Sequence, residues 1–311
     1  MRVCVTGSDG FIGSHLCELL VARGHNVVGL GLGRTLGNLA TLLGRPGFRF
    51  TALDLTTEPP PPSLAGADAL IHCAALAGTA RSWERFDDYL AANVLMTWRL
   101  VEACRETGPR RFIYVSSSSV YGADVTGPED SPLAPISPYG VTKLAAEHLC
   151  RTYAGRDEID LTIVRPFSVY GPRQRPDMMI HITIEALLRG LPLTVEGTGQ
   201  QERSFTYVGD LVEGIARCLE AGQAIGQTYN LGGGELHSLL SLIQLAEKAT
   251  GQRAKLRDAL ARPGDQYRTR ADTRVAKRDL DWQPTWTLER GLDQQVTWQR
   301  SLLKREAPCI A

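Results

Sequence analysis

Residues 1–15 read MRVCVTGSDGFIGSH, which predicts a strand, a glycine-rich turn and a helix in that order. Arg2 to Thr6 is a short β-branched run suited to a buried strand. An apolar helical pattern then runs from Phe11 to Val21. The glycines between them are spaced G-x-x-G-x-x-G, so the backbone can approach a pyrophosphate at the N-terminus of the helix. This context predicts a dinucleotide site that includes Gly7, Gly10, Phe11, Ile12 and Gly13.

Strand-like and helical stretches alternate through the next two hundred or so residues. Further strands are predicted at 26–30, 48–52, 69–72, 111–116, 161–165 and 228–231, with long helical patterns at 87–107 and 138–153. This alternation predicts an α/β fold with a doubly wound parallel (Rossmann) sheet. Because ligands bind beyond the carboxyl ends of such strands, we expect further cofactor contacts there. The candidates are Asp54, Leu55, Ala74, Ala75, Leu76 and Pro166.

The end of the second predicted strand lacks the acidic residue that usually binds the adenine ribose of NAD. The sequence there is Gly29-Leu30-Gly31-Leu32-Gly33-Arg34. Arg34 could bind the 2′-phosphate of NADP, or it could be a solvated loop arginine. NAD is the expected cofactor, and NADP stays open.

Size and composition exclude several classes of function. The chain has 311 residues with 34 basic and 34 acidic side chains, so no charge excess favours nucleic acid. No apolar run reaches the roughly 18 residues of a membrane span, and the start lacks a signal-peptide pattern. The seven cysteines form no C-x-x-C pair, and the six histidines lack metal-ligand spacing. We expect a cytoplasmic protein with free thiols and no metal, membrane or nucleic-acid partner.

Tyr139-Gly140-Val141-Thr142-Lys143 follows a helix start formed by Ser137 and Pro138. Four residues apart, Tyr139 and Lys143 share one helix face. An ammonium near a phenol favours the phenolate, so this tyrosine could act as a base. Taken alone, the pair could equally be two solvated neighbours.

A run of serines, Ser116 to Ser119, follows the strand predicted at 111–116 and precedes Val120-Tyr121-Gly122. Hydroxyls at the carboxyl end of a central parallel strand face the ligand crevice. A serine-rich turn without function is the alternative for any one of them.

Together these motifs resemble the extended short-chain dehydrogenase/reductase family over nearly the whole chain. TGSDGFIGSH, SSSSVYG, SPYGVTK and RPFSVYGPRQRPD occur in the family's order. The resemblance implies that Tyr139 removes a proton from a sugar hydroxyl, that Ser117 hydrogen-bonds the same oxygen, and that Lys143 binds the nicotinamide ribose and lowers the tyrosine pKa. It also implies that Asn93 helps to order the cofactor site.

The residues beside Ser117 separate branches of that family. Sugar 4,6-dehydratases carry Asp-Glu where this chain has Ser118-Ser119, and nucleotide-sugar decarboxylases carry Glu in place of Ser119. An epimerase needs neither acid. The segment 165–179, RPFSVYGPRQRPDMM, looks most like UDP-glucuronate 4-epimerases. The resemblance places Arg175 near the sugar carboxylate and Ser168 at a family hydroxyl position. Arginine and hydroxyls suit a carboxylate, although Arg175 could also be a surface arginine.

Two further segments resemble the part of the family that binds uridine diphosphate. Residues 197–205 read GTGQQERSF, and Arg262-Pro263-Gly264-Asp265 matches a second phosphate and ribose contact. The expected substrate contacts are Ser118, Ser119, Ser168, Arg175, Gln201, Arg203, Arg262 and Asp265.

We expect a dinucleotide-binding domain from 1–166 and 205–231. A smaller, discontinuous nucleotide-sugar-binding lobe would comprise 167–204 and 232–311, packed by Trp282 and Trp286. Helices 87–107 and 138–153 carry apolar residues on more than one face. In the family such a surplus face forms a homodimer; a monomer is the alternative.

The leading hypothesis is therefore a UDP-glucuronate 4-epimerase. A UDP-glucose or UDP-galactose 4-epimerase is the nearest alternative. An NADP-dependent nucleotide keto-sugar reductase and a non-catalytic dinucleotide sensor belong to other classes.

Overall fold

The computed structural model describes residues 1–106, 108–261, 264 and 266–306. Its strands are β1 (Arg2–Thr6), β2 (Asn26–Gly31), β3 (Phe48–Ala52), β4 (Ala69–His72), β5 (Arg111–Val115), β6 (Asp124–Val125), β7 (Asp160–Pro166), β8 (Val169–Tyr170), β9 (Pro192–Glu196), β10 (Glu202–Ser204), β11 (Thr206–Tyr207), β12 (Thr228–Leu231), β13 (Leu236–Ser238), β14 (Lys255–Ala259) and β15 (Arg268–Thr269). Its α-helices are α1 (Phe11–Ala22), α2 (Thr79–Ser82), α3 (Phe86–Leu90), α4 (Met96–Glu106), α5 (Pro138–Asp157), α6 (Met179–Arg189), α7 (Val208–Glu220), α8 (Leu239–Thr250), α9 (Arg274–Leu280) and α10 (Leu288–Glu306).

Seven strands form one parallel sheet in the order β12-β7-β5-β4-β1-β2-β3. The predicted doubly wound parallel fold is thereby confirmed. The chain runs outward from β1 through β2 to β3 and then returns to the other side of β1 as β4. The strand order therefore reverses between β1 and β4, which is where such sheets bind ligands.

Helices cover both faces of this sheet. Val3 and Val5 pack on one side with Leu16 of α1 and Leu211 of α7. Cys4 points to the other side, where α4 and α5 supply the apolar partners. Successive strand residues alternate between faces, so the β-branched run of β1 is buried on both sides.

Smaller sheets and a separate core lie outside the large sheet. α6, α8 and α10 share a third apolar cluster that includes Ile184, Leu242 and Leu292. Trp286 stacks on Tyr207 with ring centroids 4.0 Å apart. The expectation for Trp282 was wrong: it packs into the core beside the large sheet, because its indole N–H donates to the Asp210 carbonyl of α7, 2.9 Å away.

The helix predicted at 87–107 is interrupted. α3 continues into a π-helical segment (Ala91–Leu95) before α4 ends at Glu106; Thr107 lies outside the described residues. A single π-helical turn inside a helix commonly marks a functional position, and here it contains Asn93.

Candidate active site

The glycine turn joins β1 and α1 with almost no space between its backbone segments. Gly7 has φ +65°, and a Cβ there would lie 2.9 Å from Ala74 Cα. A Cβ on Gly13 would overlap the Gly7 carbonyl oxygen. This packing exposes the N-terminal amides of α1, which lets the predicted turn residues approach a pyrophosphate. The residues present therefore fit a dinucleotide.

Residues after the strand ends surround that turn. Thr6 Oγ1 accepts a hydrogen bond from Ala74 N at 3.1 Å, which fixes the segment after β4 beside the turn. Leu55 is buried after β3, whereas Leu76 is exposed. Ala75 is half-buried and Pro166 is buried at the end of β7. Hydrogen bonds from Thr56 lower the pKa of Asp54, and the nearby Arg34 charge acts the same way.

Asn93 connects the cofactor side to the helix that carries Tyr139. Its Oδ1 accepts from Leu76 N at 2.9 Å, and its Nδ2 donates to Leu76 O and to Thr142 Oγ1, both at 3.0 Å. Asn93 is buried, so these bonds form in a site where an unpaired amide would be costly. The fully paired side chain fixes α5 relative to the loop after β4.

His72 belongs to a buried polar chain, not to a ligand set. Its Nδ1 lies 2.7 Å from Thr6 Oγ1 and its Nε2 lies 3.0 Å from Thr97 Oγ1. Burial lowers its pKa to about 3, so the ring stays neutral. Among the described residues, no three His, Cys, Asp or Glu side chains converge to hold a metal. In the same part of the chain, no helix is both long and apolar enough to cross a membrane.

α5 begins where the sequence predicted. Ser137 Oγ accepts from Gly140 N at 3.1 Å, and Pro138 occupies the first turn. Gly140 lets the helix approach the serine run, because a Cβ there would lie 2.5 Å from the Ser119 carbonyl oxygen. The close approach places Tyr139 near Ser117, whose hydroxyl acts to lower the pKa of Tyr139.

Burial shifts the pKa values of Tyr139 and Lys143, which share that helix face, in opposite directions. Burial raises the pKa of Tyr139, while the Ser117 hydrogen bond and the Arg175 charge act to lower it. Burial lowers the pKa of Lys143 to about 8. The Lys143 ammonium donates to Val115 O at 2.7 Å and lies 4.3 Å from the Tyr114 ring centroid. Arg175 is thus the cation that lowers the tyrosine pKa here; that role for Lys143 stays a prediction.

The serines of the run 116–119 have different partners: Ser117 bonds within the run, whereas Ser116 bonds to Glu147 of α5. Ser117 Oγ accepts from Ser119 N at 3.1 Å, and Ser118 is buried. Ser116 turns away and donates to Glu147 Oε1 at 2.5 Å. Glu147 also accepts two hydrogen bonds from one edge of the Arg165 guanidinium, from Nε at 2.9 Å and from Nη2 at 2.7 Å. Arg165 is therefore held in a buried structural ion pair.

Arg175 lies against the loop after β4, and its charge acts on Tyr139. Its Nε and Nη2 each lie 2.9 Å from Asp177 carboxylate oxygens, and Nη2 donates to Ala77 O at 3.1 Å. Tyr89 donates to Gly78 O at 2.9 Å and packs edge-to-face on Tyr139. Sequence reasoning missed Tyr89 and Asp177, because neither lies in a strand-end motif.

A cavity of about 240 Å³ is lined in part by Asp177, the ion-pair partner of Arg175. Ser168, Gln201 and Arg203 line it, so three predicted substrate contacts share one space. Ser168 has φ 32°, a rare value for a residue with a side chain. Arg203 donates to Tyr267 O at 3.2 Å. The predicted contacts Arg262 and Asp265 lie outside the described residues.

A glycine turn at the switch point, with a serine, a tyrosine and a lysine at the end of β5, defines a dinucleotide-dependent enzyme of the short-chain dehydrogenase/reductase type. The sequence profile of the NAD dependent epimerase/dehydratase family matches residues 3–232. The chain belongs to that family, in the extended short-chain dehydrogenase/reductase group, and its cofactor is NAD.

Relatives of similar length match almost the whole chain. A protein of Bacillus subtilis, named uncharacterized UDP-glucose epimerase YtcB, is 42% identical over 98% of this chain and 100% of its own length. The UDP-glucuronate 4-epimerase of Thermodesulfobacterium geofontis is 34% identical over 95% of each chain. The crystal structure of UDP-glucuronic acid 4-epimerase from Bacillus cereus, with UDP-glucuronic acid and NAD, superimposes with a TM-score of 0.92 at 38% identity, covering 97% of this chain and 100% of that one.

Proposed function

We propose that this protein is a UDP-glucuronate 4-epimerase that interconverts UDP-glucuronate and UDP-galacturonate. The observation that carries the proposal is the position of Arg175, whose charge acts on the buried Tyr139 hydroxyl. A guanidinium at the sugar end of the site suits an acidic sugar. The B. cereus and T. geofontis proteins, named for this activity, support it.

Arg175 has a free edge for that carboxylate. Asp177 and Ala77 engage its Nε and Nη2, and no described residue hydrogen-bonds its Nη1. The side chain is 36% exposed, so a ligand can reach it. A carboxylate could bind Nη1 directly or displace Asp177.

Tyr139, Ser117 and Lys143 carry the proton chemistry in this proposal. Bound NAD+ supplies a hydride acceptor that can return the hydride. Tyr139 takes the proton from the C4 hydroxyl and returns it to the same oxygen after the 4-keto sugar has rotated to present its other face. Ser117 donates to the same oxygen. Lys143, held by Val115 O, provides the positive charge on the cofactor side.

The intermediate of this reaction needs protection. A ketone at C4 next to a carboxylate on C5 is a β-keto acid, which loses carbon dioxide readily. Ser118 and Ser119 place no carboxylic acid beside the sugar, and Arg175 can hold the carboxylate in place. A pentose nucleotide as the main product would contradict the proposal.

We also propose that residues 167–204 and 232–311 form the nucleotide-sugar lobe and 1–166 with 205–231 the cofactor domain. The cavity lined by Ser168, Gln201 and Arg203 would hold the diphosphate end. Arg262 and Asp265 remain proposed contacts from sequence alone. If the backbone amides around this cavity exchange their hydrogens more slowly when UDP is bound, the proposal is supported. Unchanged exchange rates there would contradict it.

A neutral-sugar 4-epimerase is the second candidate. Asp177 already neutralises Arg175 in this structure, and the B. subtilis relative is named a UDP-glucose epimerase. The two candidates differ in whether the Arg175 charge contributes to catalysis.

The deciding experiment is proton NMR of the purified protein with UDP-glucuronate and no added cofactor. UDP-galacturonate should appear without free NADH. Turnover of UDP-glucose alone would favour the neutral-sugar enzyme, and a requirement for NADPH would favour the keto-sugar reductase.

Arg175→Ala sharpens the test. It should lower kcat/KM for UDP-glucuronate by about tenfold to a hundredfold, the worth of a hydrogen bond to a charged group, and affect UDP-glucose little. Arg278→Ala removes another Arg–Asp pair, whose arginine is exposed, and serves as the control. Asp177→Asn should lower KM for UDP-glucuronate if Asp177 competes with the substrate. Equal losses on both sugars in Arg175→Ala would refute carboxylate recognition.

We propose a homodimer through α3, α4 and α5. Four large apolar side chains on these helices and the π-helical segment are 37–46% exposed: Leu90, Leu95, Trp98 and Val141. An exposed apolar face of this kind marks an interface. Trp98→Glu should halve the mass measured by light scattering. A wild-type monomer would contradict the proposal.

We further propose a cytoplasmic location. The six cysteines in the described part of the chain are free, and five of them are buried, as expected in a reducing compartment. Recovery of the native protein from an extracytoplasmic fraction would contradict this.

A further inference from the structure

Asp9 occupies the place that an acid at the end of β2 would take. A Cβ on Gly31 would overlap Asp9 Oδ1 and lie 3.0 Å from Asp9 Cγ. The glycine that departs from the usual pattern therefore leaves room for a carboxylate from a different strand end. Sequence reasoning missed this pairing because the two residues lie 22 positions apart.

The glycine turn itself positions that carboxylate. Ser8 N and Oγ both donate to Leu30 O, at 3.1 and 3.2 Å, which binds the turn to the end of β2. Asp9 Oδ2 accepts from Thr35 N at 3.3 Å and Thr35 Oγ1 at 3.2 Å. Asn38 Nδ2 donates to Asp9 O at 2.9 Å.

Those contacts leave the second carboxylate oxygen available. Asp9 is buried, and no described residue donates a hydrogen bond to its Oδ1. Oδ1 itself is not fully shielded from solvent, so a ligand hydroxyl can reach this oxygen and donate to it. It lies on the cofactor side of the switch point, between β1 and the end of β2.

We propose that Asp9 is the residue that selects NAD over NADP. Dinucleotide-binding sheets recognise the adenosine ribose with an acid near the end of the second strand. Asp9 Oδ1 accepts the hydrogen bond from a ribose hydroxyl there, and its negative charge repels a 2′-phosphate. The inference concerns the cofactor alone and holds for either sugar substrate.

Arg34 does not reverse that preference. Its side chain is exposed, and its charge acts on Asp54. A 2′-phosphate at this position would meet the carboxylate of Asp9. The alternative role for Asp9 is structural, as a cap for the segment that begins at Thr35.

Four variants separate recognition from support: Asp9→Asn, Gly31→Asp, the double variant Asp9→Ala/Gly31→Asp, and Thr35→Val as the matched control. The readouts are the dinucleotide that copurifies with the full-length protein and the Kd values of NAD+ and NADP+ measured by calorimetry.

Asp9→Asn should weaken NAD+ binding about tenfold to a hundredfold while NADP+ binding stays equal or tightens. Gly31→Asp should weaken NAD+ binding, since its side chain collides with Asp9. The double variant should restore NAD+ binding and preference. Thr35→Val loosens the cap without removing charge, so its preference should not change.

An unchanged NAD+/NADP+ ratio in Asp9→Asn would overturn the proposal. A double variant with no better NAD+ preference than Asp9→Asn would do the same, and this arm stays decisive if Asp9→Asn folds poorly. A loss of preference in Thr35→Val would assign the effect to the cap and also overturn it.

Discussion

Replacing Glu147 with glutamine would leave the Arg165 guanidinium buried without its counter-ion. Both side chains are 1% exposed, and Glu147 accepts two hydrogen bonds from Arg165 and one from Ser116. Removing one partner of a buried pair typically costs about 3–5 kcal/mol. The upper part of that range applies here, because a glutamine amide nitrogen would face an Arg165 donor.

The change is measured as a shift in melting temperature by calorimetry. For a chain of this size, each kcal/mol of lost stability lowers the melting temperature by about 2 °C, so Glu147→Gln should melt roughly 8–10 °C lower. Arg110 and Glu158 supply the control, since that pair is 70% and 82% exposed. Glu158→Gln should shift the melting temperature by about 2 °C or less.

A double variant tests the cause. Glu147→Gln/Arg165→Met removes both charges and should recover much of the lost stability, because apolar replacement of a buried pair is often neutral. If Glu147→Gln melted like Glu158→Gln, or if the double variant were no more stable than Glu147→Gln, the reasoning from buried charge would be refuted.

Three further outcomes test the site and its frame. Tyr139→Phe should keep the bound cofactor and lower kcat by about a hundredfold or more; unchanged turnover by NMR would remove its role as the base. Gly13→Ala should lower the stability and the amount of bound NAD, because its Cβ overlaps the Gly7 carbonyl oxygen. Gly155→Ala on α5 meets nothing within 4 Å and should raise the stability by about 0.5–1 kcal/mol. Melting temperatures that shift in the same direction for both variants would contradict this. The pKa of Lys143 falls from 10.5 to about 8 on folding, so between pH 8 and 10.5 the unfolded state binds more protons and this group's contribution to stability rises with pH. Lys143→Met should lack that rise when the free energy of unfolding is measured by urea titration at pH 8 and 10. The same pH dependence in the variant and the wild type would refute the assignment.

Much of the fold could be predicted because short-range sequence patterns specify its strands, helix starts and turns. The run Arg2–Thr6 is β1 as predicted, and α1 begins at Phe11. Ser137 caps α5 with its own hydroxyl, which places Tyr139 and Lys143 one turn apart. Strand periodicity, a cap and a glycine spacing act within about ten residues, so the chain alone specifies them.

The site was predictable only where its residues fall in such patterns. Ser117 and Tyr139 lie within the motifs SSSSVYG and SPYGVTK, and the structure brings the two residues together. Tyr89 and Asp177 do not, although both contact the same end of the site. The prediction also placed Trp282 in the smaller lobe, whereas it packs into the larger core, where its partner Asp210 lies 72 residues away in the sequence.

The sequence by itself thus determined the parallel α/β frame, the glycine turn and the tyrosine–lysine helix, because local sterics and periodicity decide those. Only the tertiary structure placed Asp9 over Gly31 and Arg175 beside Tyr139. Those pairs depend on which strand ends become neighbours after the crossovers, and strand order is set by packing of the whole sheet.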